Sequence, residues 1–279
     1  GNILAVIGHN GAGKSTLIKS ILGLLPGNSG TLTIKDKGKG KSEILLPEQH
    51  MAFCPETGAV FADITVENYV KLWCRLKQND ANYYRKDGSH IIDRLNITPL
   101  FSKLGRELSK GQRRRVQTAV GFLCNPRFFL FDEPFDGLDV QKTRELTDLI
   151  RDYSKDIAFM VSSHRMDVVE RLADKVIVLY RGEVLAAGST EEVSKALCGR
   201  SALISNLSDH QRMLELLGVH FPAALVNRMG DDIVLSGPDL DLKKLLSFIK
   251  KHDANGAFLR ETTPRLADAM NFHLQNINE

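Results

Sequence analysis

An α/β fold built around a parallel sheet is the fold class that the sequence predicts. Short runs of branched and aromatic residues are unbroken, which is typical of strands buried on both faces of such a sheet. Stretches with helical spacing, at 13–25 and 140–155, lie between these runs. Alternating strands and helices favour a layered α/β domain. The predicted strands are Ile3–Ile7, Phe128–Phe131, 157–161 and 176–180.

Composition excludes several classes of protein. The chain has 279 residues, of which 43% are hydrophobic and 25% charged, values that rule out a disordered chain. A formal net charge of +3 is too small to indicate nucleic acid by itself. No apolar run approaches the ~20 residues of a membrane-spanning helix, and no signal peptide is visible. The scattered cysteines show no zinc-ligand spacing, which favours a reduced, cytoplasmic setting. They are Cys54, Cys74, Cys124 and Cys198.

Two changes in the predicted secondary structure along the chain predict the domain organisation. Between about 57 and 125 the chain has helical spacing and no convincing strand, which predicts a helical insertion. Residues 199–279 predict a small α+β appendage, so the expected domains are 1–198 and 199–279. Its predicted strands are 202–205, 232–235 and 258–260, and its predicted helices are 209–217 and 241–251.

A phosphate-binding loop follows the first predicted strand. The stretch from Gly8 to Ser15 fits G-x-x-x-x-G-K-[ST] and opens a helix, which is the context that this motif requires. Its glycines let backbone N–H groups surround phosphates, and the helix adds its positive dipole end. We expect Lys14 to reach the β- and γ-phosphates and Ser15 to bind Mg²⁺. The predicted phosphate-binding residues are Gly8, Asn10, Gly11, Ala12, Gly13, Lys14, Ser15 and Thr16.

Two acids follow a buried run. Asp132 and Glu133 come directly after Phe128–Phe131. Because consecutive strand residues point to opposite sides, we expect the two carboxylates to do different work. Asp132 suits the Mg²⁺ shell, since Mg²⁺ prefers carboxylates and keeps several waters. Glu133 suits the base that orients and polarises an attacking water.

Five residues between the phosphate-binding loop and the acidic pair resemble a family signature. Leu108, Ser109, Lys110, Gly111 and Gln112 are similar to the L-S-G-G-Q signature of the ATP-binding cassette family, the nucleotide-binding subunits of ABC transporters. The resemblance covers roughly residues 1–197 and implies a P-loop NTPase fold with a RecA-like core and a helical subdomain at about 57–125. The later elements of the pattern are a D-loop at Gly137, Leu138 and Asp139 and a switch histidine at His164.

The resemblance implies an ATPase that works as a head-to-tail dimer with a second cassette, identical or different. Each ATP, with Mg²⁺, would lie between the phosphate loop of one subunit and the signature of the other. Ser109, the Gly111 backbone and the helix N-terminus would form a second anion site. His164 would contact the γ-phosphate and the attacking water, and Asp139 would link the two sites.

The chain departs from the family pattern at several points. Glu56 stands where the family's Q-loop carries Gln, and we expect it to contact Mg²⁺ although a carboxylate cannot donate a hydrogen bond. Lys110 replaces a signature glycine. The family's adenine-stacking aromatic lies upstream of the phosphate loop, so we expect it and the N-terminal strands to be missing before Gly1. The segments at 55–66 and 264–270 resemble bacterial exporter subunits of the drug, sodium and lipid-efflux type.

The function that this resemblance implies is an ATPase that powers export through a separate membrane permease, bound at the inner face of the cell membrane, with no nucleic acid. Two alternatives stay open, a soluble cassette acting on the ribosome and a DNA-repair cassette acting on nucleic acid. The basic run at Arg113, Arg114 and Arg115 is interpreted as a solvated or interface helix face.

Overall fold

The protein divides into two compact units. The structure, a computed structural model, describes residues 3–26, 30–35, 42–253 and 256–277. One unit comprises Gly1–Arg165 with Leu179–Glu183, and the other comprises Met166–Val178 with Val184–Glu279. This division does not fall at residue 198, and the predicted limits of 1–198 and 199–279 stay a prediction.

A parallel sheet forms the centre of the first unit. Four strands lie in the order β4-β5-β6-β1, and every neighbouring pair is parallel. The unbroken apolar runs explain this placement, because strands of a parallel sheet are covered on both faces. A separate antiparallel pair is formed by β2 and β3. The strands are β1 (Ile3–Ile7), β2 (Thr33–Lys35), β3 (Ser42–Ile44), β4 (Met51–Cys54), β5 (Phe128–Phe131) and β6 (Ala158–Ser163).

Six helices are described in the same unit. The structure describes every residue of the predicted helical insertion, and this segment is a run of helices without a strand. Thr65 and Asp139 cap two of the helices through side chains that accept hydrogen bonds from the third following N–H. Single 3₁₀ turns at Tyr83–Arg85, Thr98–Leu100 and Gly105–Glu107 join the helices of the insertion. The helices are α1 (Lys14–Ile21), α2 (Pro47–His50), α3 (Val66–Gln78), α4 (Ser89–Arg94), α5 (Lys110–Leu123) and α6 (Val140–Tyr153).

Stacked phenylalanines form the core between the sheet and α5. The rings of Phe129 and Phe131 lie 4.1 Å apart, and Phe122 from α5 meets Phe129 edge-on at 5.1 Å. Gly121 allows this approach, because a Cβ there would lie 2.1 Å from Cζ of Phe129, which is fully buried. The close contact of α5 with β5 therefore depends on a residue without a side chain.

The second unit contains an antiparallel sheet in the order β10-β11-β9-β12. One face is apolar and packs against α9 and α10 through residues such as Ile204, Leu217, Ile233 and Leu245. Asp209 and Asp241 cap these helices. The successive strands β7 (Lys175–Tyr180) and β8 (Glu183–Gly188) meet at a turn whose residues belong to the first unit. The remaining elements are α7 (Met166–Leu172), α8 (Thr190–Cys198), β9 (Arg200–Ser205), α9 (His210–His220), β10 (Leu225–Met229), β11 (Asp232–Gly237), α10 (Leu242–His252), β12 (Phe258–Thr262) and α11 (Leu266–Ile277).

Substitution of Gly121 by alanine should destabilise the first unit. The added methyl group overlaps the ring of Phe129, and overpacking of a dense core costs ~1–3 kcal/mol. Chemical denaturation followed by circular dichroism measures the change. Gly218→Ala is the matched control, because Gly218 is an exposed glycine of α9 with nothing within 4 Å of its added methyl. That control should gain ~0.4–1 kcal/mol, and equal effects of the two substitutions would contradict the packing argument.

Candidate active site

The carboxyl ends of the four parallel strands bring the predicted site residues to one edge of the sheet. The phosphate loop follows β1, Asp132 and Glu133 follow β5, His164 follows β6, and Glu56 stands two residues after β4. Ligands of open α/β sheets bind at this edge. The topology thus explains why motifs more than a hundred residues apart form one site.

The phosphate loop needs glycine for its shape. Gly11 and Gly13 have φ angles of 82° and 103°, in a region that other residues rarely adopt. At Gly8 a Cβ would lie 2.4 Å from the carbonyl oxygen of Leu179. Gly13 is the N-cap of α1 and has no side chain that could cap the N–H groups of the first turn. Those groups and the helix dipole are suited to an anion.

Lys14 is buried, with only 6% of its surface exposed. Its Nζ donates to the carbonyl oxygens of Gly8, at 2.9 Å, and His9, at 3.2 Å. It also forms an ion pair with Oε1 of Glu133 at 3.1 Å. The ammonium group is therefore held by the loop that it belongs to and by the predicted base.

Asp132 lies against two hydroxyl groups. Its Oδ1 accepts hydrogen bonds from Oγ of Ser15, at 3.0 Å, and from Oγ of Ser162, at 2.7 Å. Ser162 Oγ in turn accepts from the backbone N–H of Glu133 at 2.9 Å. One serine thus holds both acidic residues. The sequence analysis missed this contact, and the position of Ser162 near the end of a strand that borders β5 is the signal that could have found it.

Glu133 contacts two of the other predicted residues. Its Oε2 lies 2.9 Å from Nδ1 of His164 and accepts from the His164 backbone N–H at 3.2 Å, while Oε1 pairs with Lys14. The expected strand alternation between Asp132 and Glu133 is wrong, because β5 ends at Phe131. The two carboxylates are separated instead by a backbone turn in which Glu133 has φ of 46°. A residue other than glycine in this region is uncommon and must be held by its surroundings.

The thiol of Cys54 lies beneath the site. The Asp132 N–H donates to the Cys54 carbonyl oxygen at 3.0 Å, which ties the end of β4 to the start of the acidic turn. Burial raises the pKa of the Cys54 thiol to about 12, although a hydrogen bond with Thr118 opposes the shift. The thiol is therefore protonated at neutral pH and has no nucleophilic role.

The signature residues begin α5. The Ser109 hydroxyl accepts from Gln112 N–H at 3.2 Å, and Gln112 Oε1 accepts from Ser109 N–H at 3.0 Å, which is a capping box. Leu108 is buried and Gly111 is exposed. The structure does not bring these residues to Lys14 and Glu133, and their action on a partner's ATP stays a prediction.

Glu56 faces the signature segment. Its Oε1 lies 3.8 Å from Nζ of Lys110, which also lies 3.3 Å from Oδ2 of Asp136. The two departures from the family pattern, Glu56 and Lys110, are therefore paired with each other in this structure. The predicted contact of Glu56 with Mg²⁺ stays a prediction.

The D-loop residues form a turn before α6. Gly137 has φ of 68°, and Leu138 N–H donates to the Phe135 carbonyl oxygen at 3.3 Å. The Asp139 carboxylate accepts from Lys142 N–H at 2.8 Å. This hydrogen bond, with the Lys142 ammonium, lowers the pKa of Asp139. Its role here is a helix cap, and the predicted link between two ATP sites is not tested.

Arg114 corrects the interpretation of the basic run. It is 5% exposed, so of the two predicted alternatives, a solvated or an interface helix face, the solvated one is wrong for this residue. Its guanidinium donates to the carbonyl oxygens of Pro134, at 3.0 Å, Asp136, at 2.7 Å, and Glu56, at 2.8 Å. The buried residues Gln117, Thr118 and Gly121 follow it at helical spacing and indicate the same face of α5.

Comparison with known proteins identifies the domain. The model of the ABC transporter family matches residues 1–136. The chain carries an ABC transporter ATP-binding domain. ATP-binding cassette sub-family A member 2 of Rattus norvegicus is 30% identical over 187 residues, which are 67% of this chain and 8% of that protein. An uncharacterised ABC transporter ATP-binding protein of Methanocaldococcus jannaschii is 26% identical over 236 residues, 84% of this chain and 83% of that one.

Solved cassettes confirm the predicted fold class. The structure of an ATP-binding subunit of an ABC transporter superposes with a TM-score of 0.60 and 25% identity, over 70% of this chain and 81% of that one. The cassette is thus an ATPase domain of P-loop fold, as the sequence predicted. The chain spans only 8% to 11% of the three sub-family A proteins that it matches first. Within the described ranges, no helix is both long and apolar enough to cross a bilayer.

Substitution of Lys14 by alanine should abolish measurable ATP binding. The buried ammonium forms an ion pair with Glu133, and its removal takes a point charge from the phosphate site. Isothermal titration calorimetry with ATP measures the affinity. Lys19→Ala is the matched control, because Lys19 is exposed on the last turn of the same helix and should leave the affinity unchanged. Unchanged ATP affinity in Lys14→Ala would mean that the loop at 8–15 is not the phosphate site.

Proposed function

We propose that this cassette hydrolyses ATP to drive export through a separate membrane permease. The observation that supports the proposal best is the contact of Glu133 with both Lys14, at 3.1 Å, and His164, at 2.9 Å. A base, a phosphate-binding cation and a histidine at one point are what hydrolysis of a γ-phosphate needs.

ATP binding changes the partners of Glu133 in this proposal. A triphosphate in the loop competes with the Glu133 carboxylate for the Lys14 ammonium. Glu133 Oε1 is then free to accept a proton from the attacking water, while Oε2 stays with His164. His164 is 44% exposed at its side chain and can turn its other ring nitrogen toward the γ-phosphate. Oxygens of the phosphate meet the uncapped N–H groups of α1.

The residues around Asp132 fit Mg²⁺. Ser15 Oγ and Asp132 Oδ1, 3.0 Å apart, are hard oxygen donors of the kind that this ion prefers. They would hold the ion with the phosphates, and Glu56 is a predicted further ligand. When bound there, Mg²⁺ would neutralise charge on the phosphate oxygens.

The proposed partners are those that the resemblance to ABC transporters implies. We propose a dimer with a second cassette, so that Leu108, Ser109, Lys110, Gly111 and Gln112 complete the partner's site, and a peripheral position at the inner face of the membrane. The relative from M. jannaschii supports a separate permease, since it matches over most of both chains. The segments at 55–66 and 264–270 support export.

Substitution of Glu133 by glutamine should leave ATP binding intact and slow hydrolysis. The amide keeps the shape of the side chain but cannot act as a base, and a general base contributes about 10²–10⁴-fold to turnover. Phosphate release at saturating ATP, measured on the full chain with its partners, gives the rate. Glu56→Gln is the control for loss of one carboxylate at this edge, and it should retain more activity than Glu133→Gln. Near-normal turnover in Glu133→Gln would remove Glu133 from the role of base.

A transport partner can be tested directly. A neighbouring reading frame that encodes a membrane protein with many spans should co-purify with this chain and stimulate its phosphate release. In vesicles, ATP supplied on the side that carries the cassette should move substrate away from that side. Stimulation by ribosomes or nucleic acid, with no effect of such a membrane protein, would favour the soluble alternatives.

A further inference from the structure

We infer that Arg114 is a positioning residue for Glu133 and that it joins the signature helix to the turn that carries the base. The inference rests on the proposed function, because Glu133 is the base of the proposed hydrolysis. Arg114 touches neither the Glu133 carboxylate nor the phosphate loop in the contacts described above, and it acts through the backbone.

The acidic turn depends on support after Glu133. Glu133 has φ of 46°, and the Asp136 N–H closes the turn by donating to the Glu133 carbonyl oxygen at 3.2 Å. The carbonyl oxygens of Pro134 and Asp136 accept from the same Nη1 of Arg114, at 3.0 and 2.7 Å. A buried carbonyl that lacks a partner is costly, so Arg114 favours the one turn conformation that directs Glu133 toward Lys14.

A second segment is held by the same side chain. Nη2 of Arg114 donates to the Glu56 carbonyl oxygen at 2.8 Å. This segment packs directly on α5, because a Cβ at Gly58, which has φ of 68°, would lie 2.9 Å from the Arg114 backbone nitrogen. One guanidinium thus fixes three carbonyl groups from two loops against one helix. A planar group with several donors can do this, whereas a lysine ammonium lacks the fork.

The preceding turn of α5 contacts the same two loops as Arg114. Lys110 is four residues before Arg114 on the same face, and its Nζ reaches side-chain oxygens of the same two residues, Asp136 at 3.3 Å and Glu56 at 3.8 Å. Such exposed ion pairs contribute little to stability. They nevertheless show that the helix start, which carries the signature, contacts the same two loops. A displacement of α5 is therefore transmitted to the turn at 133–136.

The test compares Arg114→Lys with Arg113→Lys in the full chain. Arg113 is a neighbouring arginine of α5 for which the described residues show no hydrogen bond to either loop, so its substitution should leave turnover within about twofold. Arg114→Lys should lower kcat at least tenfold while the dissociation constant for ATP changes less than threefold. A general loss of structure would weaken binding and turnover together.

A double substitution separates positioning from other effects. If Arg114 acts through Glu133, adding Arg114→Lys to Glu133→Gln should cause no further loss of turnover. Ethylguanidinium, but not ethylammonium, should restore part of the turnover of Arg114→Ala. Wild-type kcat in Arg114→Lys, multiplicative losses in the double variant, or loss of the folded circular dichroism spectrum in both Arg114 variants would each overturn the inference. Normal turnover in Glu133→Gln alone would contradict the proposed function, and this result does not depend on Arg114.

Discussion

Burial of a single ammonium group, that of Lys14, is the constraint on which the rest of the site depends. A charge removed from water must be compensated by close acceptors. Two of its acceptors are carbonyl oxygens of its own loop, so the loop must fold back over the side chain, and glycines make that path possible. The third is Glu133, which is why the predicted base lies beside the loop.

The same charge connects binding with chemistry. The Lys14 ammonium forms an ion pair with the Glu133 carboxylate in this structure. A triphosphate offers the ammonium several negative oxygens in place of one carboxylate. In the proposed mechanism, Glu133 would be released only where phosphate is present, so the pairing would limit attack on water to the bound state. Ser162 keeps Asp132 and Glu133 in place during this exchange, because its hydroxyl contacts both residues.

Much of the first unit could be predicted from its sequence, since β1 and β5 are unbroken apolar runs, β6 begins with one, and the loop glycines have fixed spacing. The strand β4 was not predicted, because Met51–Cys54 is not a run of branched or aromatic residues like β5, and only pairing with β5 makes it a strand. β10 (Leu225–Met229) was missed for a related reason, because its sequence mixes apolar and polar residues. Arg114 was predicted on a solvated or interface helix face because it belongs to a run of three arginines, and its buried state depends on carbonyl groups of two loops that are distant in the sequence.

Asp132 and Glu133 have different partners, as predicted, but a backbone turn and not strand alternation separates them. Strand alternation would have separated Asp132 and Glu133 without strain, but it would have fixed Glu133 to the opposite face of the sheet. The turn with positive φ places both residues at the carboxyl edge, Asp132 toward Ser15 and Glu133 toward Lys14 and His164. Such a conformation costs on the order of 1–3 kcal/mol and persists only when surrounding bonds hold it. The Glu133 N–H donates a hydrogen bond to the buried Ser162 hydroxyl, and the buried Arg114 guanidinium donates to the Pro134 and Asp136 carbonyl oxygens. These hydrogen bonds support the strained residue from either side.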